Sequence, residues 1–265
     1  MFAHRGGSGL APENTLAAFD RASAEGVDGL ELDVRLSRDG VVVVHHDADL
    51  DRTTNTGGPI AALTADELAR VDAAYRWGGS DHWPYRGQGV GIPTLAAVLR
   101  RYQDLRVIVE LKLNSESLAH AVLAVVQQAD ARDRVCLGAF GQRALRAVRA
   151  FDPGVATSAA REEVRWALYR SWARWPVTHV GYGAYQVPER SGLTRVVSPR
   201  FVIDAHRAGL AVQVWTVDRE DDARRLLGWG ADALITDRPD LIGPVARSPQ
   251  PPPEAPLPRS SERLN

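Results

Sequence analysis

The stretch VIVELKLNSESLAHAVLAVVQQADARDRVCLG, residues 107–138, contains the pattern that decides the fold. Two short apolar runs, 107–111 and 135–138, flank a helical periodicity over 115–129. A strand, a helix and a second strand within about 30 residues are typical of the βαβ unit, whose two strands lie parallel. The stretch therefore predicts a parallel sheet with a helix packed on its outer face.

The same alternation continues along most of the chain. The predicted strands are 2–4, 30–34, 107–111, 135–138, 155–158, 177–181, 212–216 and 233–236. The predicted helices are 14–25, 94–103, 115–129, 141–150, 160–173, 199–208 and 219–228. Residues suited to cap a helix stand at the start of several of them: Asn14, Thr94, Ser115, Ser198 and Asp218.

Eight strands that alternate with helices indicate an α/β fold, a (β/α)8 TIM-type barrel with an insertion after the early strands. An open doubly wound sheet is the alternative, but no G-x-G-x-x-G turn follows the first strand. The run VVVVHHD, 41–47, predicts a further strand, joined to 30–36 by a hairpin turn. Residues 48–93 then form the insertion, which we expect to cap one end of the barrel.

Two segments are assigned by composition. The insertion contains aromatic residues that could bind a substrate headgroup or merely pack the insertion: Tyr75, Trp77, Trp83 and Tyr85. Residues 247–265 include PQPPPEAPLP and few apolar groups, so we expect a disordered tail. One barrel domain is therefore predicted over residues 1–246.

The composition excludes several classes of protein. The 32 basic and 33 acidic residues give a net charge of -1, which argues against a broad nucleic-acid-binding surface. The single cysteine, Cys136, excludes an intramolecular disulfide and a thiolate metal cage. No apolar run approaches the roughly 20 residues of a transmembrane helix, and no secretory signal is recognisable. We therefore expect a cytoplasmic protein without a stable membrane anchor.

Charged side chains gather at the ends of the early strands. His4 and Arg5 follow the first strand, and Glu31 and Asp33 share one face of the second because strand side chains alternate. Glu110 and Lys112 share a face of the third by the same rule; Lys112 is the only lysine of the chain, which otherwise uses arginine. The mouth of the barrel is where such side chains are expected, since active sites of this architecture lie there.

Three carboxylates at one mouth need compensation. Two unit charges about 4 Å apart repel by roughly 4 kcal/mol at an effective dielectric constant near 20. Either a pKa rises or a cation binds, and an all-oxygen ligand set suits a hard divalent cation, Mg²⁺, Ca²⁺ or Mn²⁺. A salt-bridge network with Arg5 and Lys112 is the alternative.

Several motifs together resemble the glycerophosphodiester phosphodiesterase family. They are HRG (4–6), APENTLAAF (11–19), GVDGLELDVRLSRDGVVVVHHDADLDRTT (26–54), VELKLN (109–114), VQVWTVD (212–218) and GADALITDRP (230–239). The resemblance covers about residues 1–243 and implies a metal-dependent (β/α)8 barrel. It also implies a small-molecule glycerophosphodiester substrate, cleaved to glycerol 3-phosphate and an alcohol.

The resemblance also implies a role for each matching residue. His4 and His46 match the two catalytic histidines, which form a general acid/base pair. Arg5 and Lys112 match residues that contact the phosphate. The positions that match the metal ligands are Glu31, Asp33 and Glu110.

Alternatives remain at three positions and for the function. The second catalytic histidine could be His45 rather than His46, although the Asp directly after His46 favours His46. Trp215 could form an apolar wall for the glycerol moiety or pack in the core, and Asn14 could be a site residue or only a helix cap. A lysophospholipase D-type enzyme on lipid substrates and a non-catalytic phosphodiester-binding barrel are the competing functions.

Overall fold

Parallel strands form the centre of the molecule in the computed structural model, which describes residues 1–79, 81–178 and 180–248. The strands are β1 (Phe2–Ala3), β2 (Gly29–Leu36), β3 (Val42–Val44), β4 (Arg106–Leu111), β5 (Val135–Gly138), β6 (Ala156–Thr157), β7 (Ala184–Pro188), β8 (Arg190–Ser191), β9 (Thr194–Arg195), β10 (Ala211–Trp215) and β11 (Ala233–Thr236). Eight of these described strands pair in the order β6-β5-β4-β2-β1-β11-β10-β7. A parallel bridge between Ser158 and Ala184 links the two end strands, so the ring is nearly closed. The predicted barrel is confirmed, and the open sheet is excluded.

Helices cover the outside of the ring. They are α1 (Leu16–Ala24), α2 (Ala65–Leu68), α3 (Leu95–Arg101), α4 (Glu116–Gln128), α5 (Gln142–Phe151), α6 (Arg161–Ala173), α7 (Pro199–Arg207), α8 (Glu220–Gly228) and α9 (Pro239–Arg247). The predicted caps Thr94, Ser115 and Ser198 each accept a hydrogen bond from a backbone N–H of the first turn. These side chains satisfy donors that have no partner within the helix.

Two of the predicted caps are wrong. The cap of α1 is Thr15, whose hydroxyl accepts from the backbone N–H of Ala18. Asn14 instead has a left-handed φ of 58° and lies inside the molecule, beside the strands. Asp218 precedes the cap of α8 and accepts hydrogen bonds from Thr236 Oγ1 and the Asp237 backbone N–H. Asp218 therefore stabilises the loop after β11 rather than a helix.

The strand predicted at 177–181 is also wrong: residue 179 lies outside the described residues, and the other four are not in a strand. The strand in that position of the ring is β7, which pairs in register with all of β10. Its Tyr185 and Val187 are buried against the helices, whereas Gln186 faces the barrel interior, where it contacts Gln213. A polar inward residue and a terminal proline hide the alternation that identifies a strand in the sequence.

The barrel interior is apolar at one end and charged at the other. Phe2, Ile108, Ala233 and Ile235 form a buried cluster inside the ring. Gly29 lies beside Phe2 in the neighbouring strand, and any side chain there would collide with the Phe2 ring. This apolar floor leaves the opposite end, where the strands finish, as the place for polar side chains.

The predicted hairpin is confirmed, because β3 pairs antiparallel with β2 and places Val44 opposite Val34. The insertion, 48–93, packs its own small cluster of apolar side chains against Val43 of β3. Trp77 Nε1 donates to the Ser8 carbonyl at 3.0 Å, which ties the insertion to the loop after β1.

The end of the chain differs slightly from the prediction. Helix α9 continues through Arg247, the first residue of the predicted tail, and residues 249–265 lie outside the described residues. Within the described part of the chain, no helix combines the length and the apolarity needed to cross a bilayer.

Candidate active site

The turn after β1 points two side chains at the barrel mouth. Arg5, Gly6 and Gly7 have φ values of 52°, 85° and 82°, so three consecutive residues are left-handed. Only glycine fits at position 6, because a Cβ there would lie 2.7 Å from Phe19 and 2.8 Å from Ala18 of α1. The tight turn ends the strand and leaves His4 and Arg5 at the rim.

The neighbouring strands supply the carboxylates. In β2 and β4, Asp33 lies directly opposite Glu110, and Glu31 lies opposite Ile108. All of these residues therefore face the lumen. The backbone N–H of Lys112 donates to the Val34 carbonyl at 3.2 Å, which continues the same ladder one residue beyond β4.

A cavity of about 280 Å³ opens at this end of the barrel. The site residues predicted from the sequence all line it: His4, Arg5, Glu31, Asp33, His46, Glu110, Lys112 and Trp215. Folding thus brings together residues that are up to 211 positions apart (215 minus 4). None of the insertion aromatics lines the cavity; Trp77 packs on Tyr85 instead.

Asp33 is the centre of the charged network. Its carboxylate lies 3.3 Å from Lys112 Nζ and 3.3 Å from Arg5 Nε. Asn14 Nδ2 donates to Asp33 Oδ2 at 2.8 Å, and the Asp33 backbone N–H donates back to Asn14 Oδ1 at 3.2 Å. Asn14 is therefore a buried support of the site, and the interpretation of it as a helix cap is wrong.

Glu31 and Glu110 have less compensation. Burial, together with the charge of Asp33, raises the pKa of Glu31 to about 7. Burial also raises the pKa of Glu110 to about 8, although the nearby Lys112 ammonium opposes the shift. Glu110 Oε1 is buried and has no hydrogen-bond partner.

The surroundings of Glu110 would accept a bound cation. Gly138 lies opposite Glu110 in β5, and a Cβ there would approach Glu110 Oε2 to 3.2 Å and Gln186 Oε1 to 2.7 Å. The glycine therefore leaves space beside a carboxylate that lacks a partner. Among the described residues, however, no three Asp, Glu, His or Cys side chains are arranged so that they could hold a metal ion. Asp33 is engaged by Arg5 and Lys112 instead.

The two candidate histidines have different partners. His4 Nδ1 lies 2.8 Å from Asp237 Oδ1, and the Ser8 hydroxyl donates to the same oxygen. Burial lowers the pKa of His4, but the Asp237 hydrogen bond and the Glu31 charge outweigh it, so the pKa is raised. Burial lowers the pKa of His46, although Asp33 and Asp47 oppose the shift.

His45 and His46 lie in different environments. His46 lines the cavity, and its Nδ1 lies 2.6 Å from Asp47 Oδ1. His45 is buried away from the cavity, with Nε2 3.3 Å from the Asp49 carbonyl. Of the two, only His46 can meet a molecule in the cavity.

The chain is similar to known proteins over nearly its whole length. The family model for the glycerophosphoryl diester phosphodiesterase family matches residues 4–241. The chain belongs to this family. The family indicated by the sequence motifs is thereby confirmed, and the protein is an enzyme of this phosphodiesterase class.

Relatives and solved structures agree with this membership. A glycerophosphodiester phosphodiesterase of Caldanaerobacter subterraneus subsp. tengcongensis is 30% identical over 247 residues, which cover 91% of this chain and 95% of the relative. A phosphodiesterase of Oleispira antarctica, solved in complex with the product sn-glycerol-3-phosphate, is 29% identical with a TM-score of 0.76, covering 93% of this chain and 96% of that one. A glycerophosphodiester phosphodiesterase of Agrobacterium tumefaciens is 28% identical with a TM-score of 0.74, covering 93% and 98%.

The second wall of this phosphodiesterase's cavity was not predicted from motifs. Besides Trp215, it contains Phe140 from the loop after β5, Arg161 at the start of α6, and Gln186 from the middle of β7. The Phe140 ring lies edge-on to Trp215, with centroids 6.1 Å apart. Its centroid is also 5.7 Å from Lys112 Nζ and 5.5 Å from Arg161 Cζ.

Acidic residues behind the phosphodiesterase site were also missed. Glu13 accepts from Arg5 Nη1 at 3.0 Å and from both terminal nitrogens of Arg52. Burial opposes its ionisation, but the hydrogen bond from Arg52 and the charge of Arg5 dominate and lower its pKa to about 2. Arg52 also pairs with Asp47, the partner of His46. These contacts hold Arg5 and His46 in fixed orientations.

Proposed function

We propose that this chain hydrolyses glycerophosphodiesters to sn-glycerol 3-phosphate and an alcohol, with a divalent cation and a pair of histidines. One observation carries the proposal. Among the described residues, the buried side-chain polar atoms without a hydrogen bond are Arg5 Nε and Glu110 Oε1, and both residues line the same cavity. Arg5 Nε still has an ionic partner, because the Asp33 carboxylate lies 3.3 Å away, whereas Glu110 Oε1 is the buried acceptor that lacks a hydrogen-bond partner. Such an acceptor is costly unless a ligand satisfies it, and a cation suits a carboxylate oxygen.

The proposed metal ligands are Glu31, Asp33 and Glu110, which line one cavity. A bound ion would have to draw these carboxylates together, because no three of the described side chains already surround one point. Hard oxygen donors favour Mg²⁺, Ca²⁺ or Mn²⁺. Burial raises the pKa of Glu31 and of Glu110, and a bound cation would offset the cost of keeping both carboxylates ionised. Such an ion, when bound, would neutralise charge on the phosphate oxygens.

Arg5 and Lys112 would hold the phosphate. Both cations line the cavity beside Asp33, and their positive charges favour the additional negative charge that develops at phosphorus during displacement. The guanidinium can donate to two oxygens at once, whereas the ammonium is compact enough to sit between the phosphate and Asp33.

His4 and His46 would move the protons. One imidazole accepts the proton of the attacking hydroxyl, which belongs either to water or to the 2-hydroxyl of the glycerol moiety. A new oxygen–phosphorus bond forms, the bond from phosphorus to the alcohol oxygen breaks, and the other imidazole donates a proton to that oxygen. Attack by the 2-hydroxyl would give a cyclic phosphate, which water then opens. Asp237 orients the His4 ring and Asp47 orients the His46 ring, each through the Nδ1 atom of the imidazole.

The test is the release of glycerol 3-phosphate from glycerophosphocholine and glycerophosphoethanolamine, with lysophosphatidylcholine as the comparator. We expect a higher kcat/KM for the soluble diesters, because the aromatic insertion that could have formed an apolar rim does not line the cavity. A higher value for lysophosphatidylcholine would favour the lysophospholipase D-type activity. Binding without turnover of any diester would favour a non-catalytic barrel. The cytoplasmic location stays a prediction.

A further inference from the structure

The outer face of α6 carries large aromatic side chains in solvent. Trp166, Tyr169 and Trp172 are 67%, 48% and 58% exposed, and Trp175, just beyond the helix, is 70% exposed. We call these four residues the α6 aromatic face. Aromatic side chains of this size are usually at least half-buried in a folded protein, so such a group on one helix needs an explanation.

These aromatic residues are not part of the barrel core. Helix α6 packs on the barrel through its opposite side, where Ala167, Leu168 and Ser171 are buried. On the outer side, the Trp166 and Tyr169 rings are 6.3 Å apart and the Tyr169 and Trp172 rings are 5.8 Å apart. The rings therefore form a continuous strip on the surface.

The strip is flanked by positive charge. Arg165, Arg170 and Arg174 are exposed, and no Asp or Glu occurs between residues 164 and 175. Within the part of the chain that the structure describes, none of the three arginines forms a salt bridge with a carboxylate; Glu163, in the first turn of α6, pairs with Arg149 instead. From residue 164 to residue 175 the chain is therefore basic as well as aromatic, and the exposed Glu162 lies in the first turn of α6, before this stretch. The net charge of the whole chain is -1.

We propose that the α6 aromatic face binds the surface of an anionic lipid bilayer. Tryptophan and tyrosine favour the headgroup region because an apolar ring body and a polar N–H or O–H match its mixed environment. The three arginines, which no carboxylate of the described residues neutralises through a salt bridge, complement the negative charge of anionic headgroups. A second copy of this chain is a poorer occupant, because a two-fold contact through this face would bring the arginines of both copies together without a carboxylate.

The position of the helix gives this binding a consequence for the site. Arg161 and Val164, in the first turn of α6, line the cavity. The face therefore begins at the rim of the cavity and continues down the same helix. An enzyme bound through this face would keep its cavity next to the headgroup layer while acting on substrate from solution.

The experiment is co-sedimentation of the full chain with vesicles at low ionic strength. One set contains phosphatidylcholine alone, and the other contains phosphatidylcholine with phosphatidylglycerol. We expect at least about tenfold stronger partitioning into the anionic set, and loss of it as added salt screens the attraction. Equal partitioning into both sets, or none into either, would overturn the proposal.

Two variants and two controls localise the effect. The triple variant W166S/Y169S/W172S should lose partitioning into anionic vesicles, and R165Q/R174Q should lose the preference for them. The controls are F151S, an aromatic residue that is also 67% exposed, and R100Q/R146Q, which removes two exposed arginines on α3 and α5. Both controls should bind as the native chain does; variants that bind like the controls would contradict the proposal.

Two further measurements separate this idea from its alternatives. Hydrolysis of glycerophosphocholine in solution should be unchanged in all four variants, because none of the substituted residues lines the cavity. That assay also shows that each variant is folded, and its outcome in the native chain tests the proposed function separately. Light scattering that shows a dimer in the native chain and a monomer in the triple variant, without vesicle binding, would assign the face to a second copy instead.

Discussion

The two walls of the cavity carry different kinds of side chain. The wall made by the ends of β1, β2 and β4, together with His46, carries carboxylates, two cations and two imidazoles. The wall made by the other strands carries neutral side chains such as Phe140, Gln186 and Trp215, with Arg161 as its cation. The charged wall suits the phosphate, which every glycerophosphodiester shares. The neutral wall suits the parts on either side of the phosphate, which determine which substrate is preferred.

Removal of divalent cations should have the largest effect, and it acts on the charged wall alone. We expect exhaustive chelation to stop the release of glycerol 3-phosphate, because Glu31 and Glu110 would be left without a cation beside an anionic substrate. Restoring Mg²⁺, Ca²⁺ or Mn²⁺ separately should recover activity and identify the preferred ion. Full activity in the chelated protein would show that Arg5 and Lys112 are sufficient for this wall.

Substitution of either candidate histidine should have the second largest effect. H4A and H46A should each lower kcat by at least about 100-fold, since each would remove one of the two proposed proton-transfer groups. H45A is the matched control: it changes the neighbouring imidazole, which is buried outside the cavity, and should affect stability more than turnover. An inactive H45A together with an active H46A would reverse the assignment.

Substitution of Lys112 tests whether the charged wall needs the shape of an ammonium group or only its charge. Its ammonium lies 3.3 Å from Asp33 Oδ1 and within a cation–π distance of Phe140, in a confined position. A guanidinium is broader and planar, so K112R keeps the charge but should lower kcat/KM about tenfold, roughly 1.4 kcal/mol. The kinetics should be measured on protein whose melting temperature equals that of the native chain. Native-like turnover would mean that the only lysine of the chain is incidental.

The charged wall could be predicted from the sequence, and the reason is local. Alternation along a strand fixes that Glu31 and Asp33 share a face, and the same rule joins Glu110 to Lys112. A barrel has one polar end, so these pairs could only meet at its mouth. The inference needed only the alternation along each strand and the expectation of a barrel; it needed none of the long-range contacts that form when the ring closes.

The neutral wall could not be predicted in this way. Gln186 lies on a strand whose position was mispredicted, because its inward polar residue disrupts the apolar alternation. Phe140 follows β5 in a loop and Arg161 opens α6, so only the closure of the ring decides that both reach the cavity. Asp237 is 233 residues from His4, and no spacing rule connects the two. Long-range contacts of these kinds depend on the complete fold.

Arg161 gives the smallest expected effect and the sharpest test of the neutral wall. The Phe140 ring already lies near two cations, Lys112 and Arg161, so a quaternary ammonium headgroup beside it would meet like charges. We therefore expect glycerophosphoinositol, whose headgroup is uncharged, to have a higher kcat/KM than glycerophosphocholine. Exposed charges a few ångströms apart interact by about 0.7 kcal/mol in water, which is roughly threefold in a ratio of rates.

R161Q should accordingly reduce the preference for the inositol substrate about threefold, mainly by improving the choline substrate. R165Q removes the same charge from the next turn of α6, outside the cavity, and should leave the ratio unchanged. The measurement is the ratio of kcat/KM for the two substrates in each protein, which cancels any general loss of activity. If R161Q and R165Q change the ratio equally, the effect comes from the overall charge of α6. Phe140 and Arg161 would then be only a boundary of the cavity, and substrate preference would have to reside in the uncharged residues Gln186 and Trp215, which line the same wall.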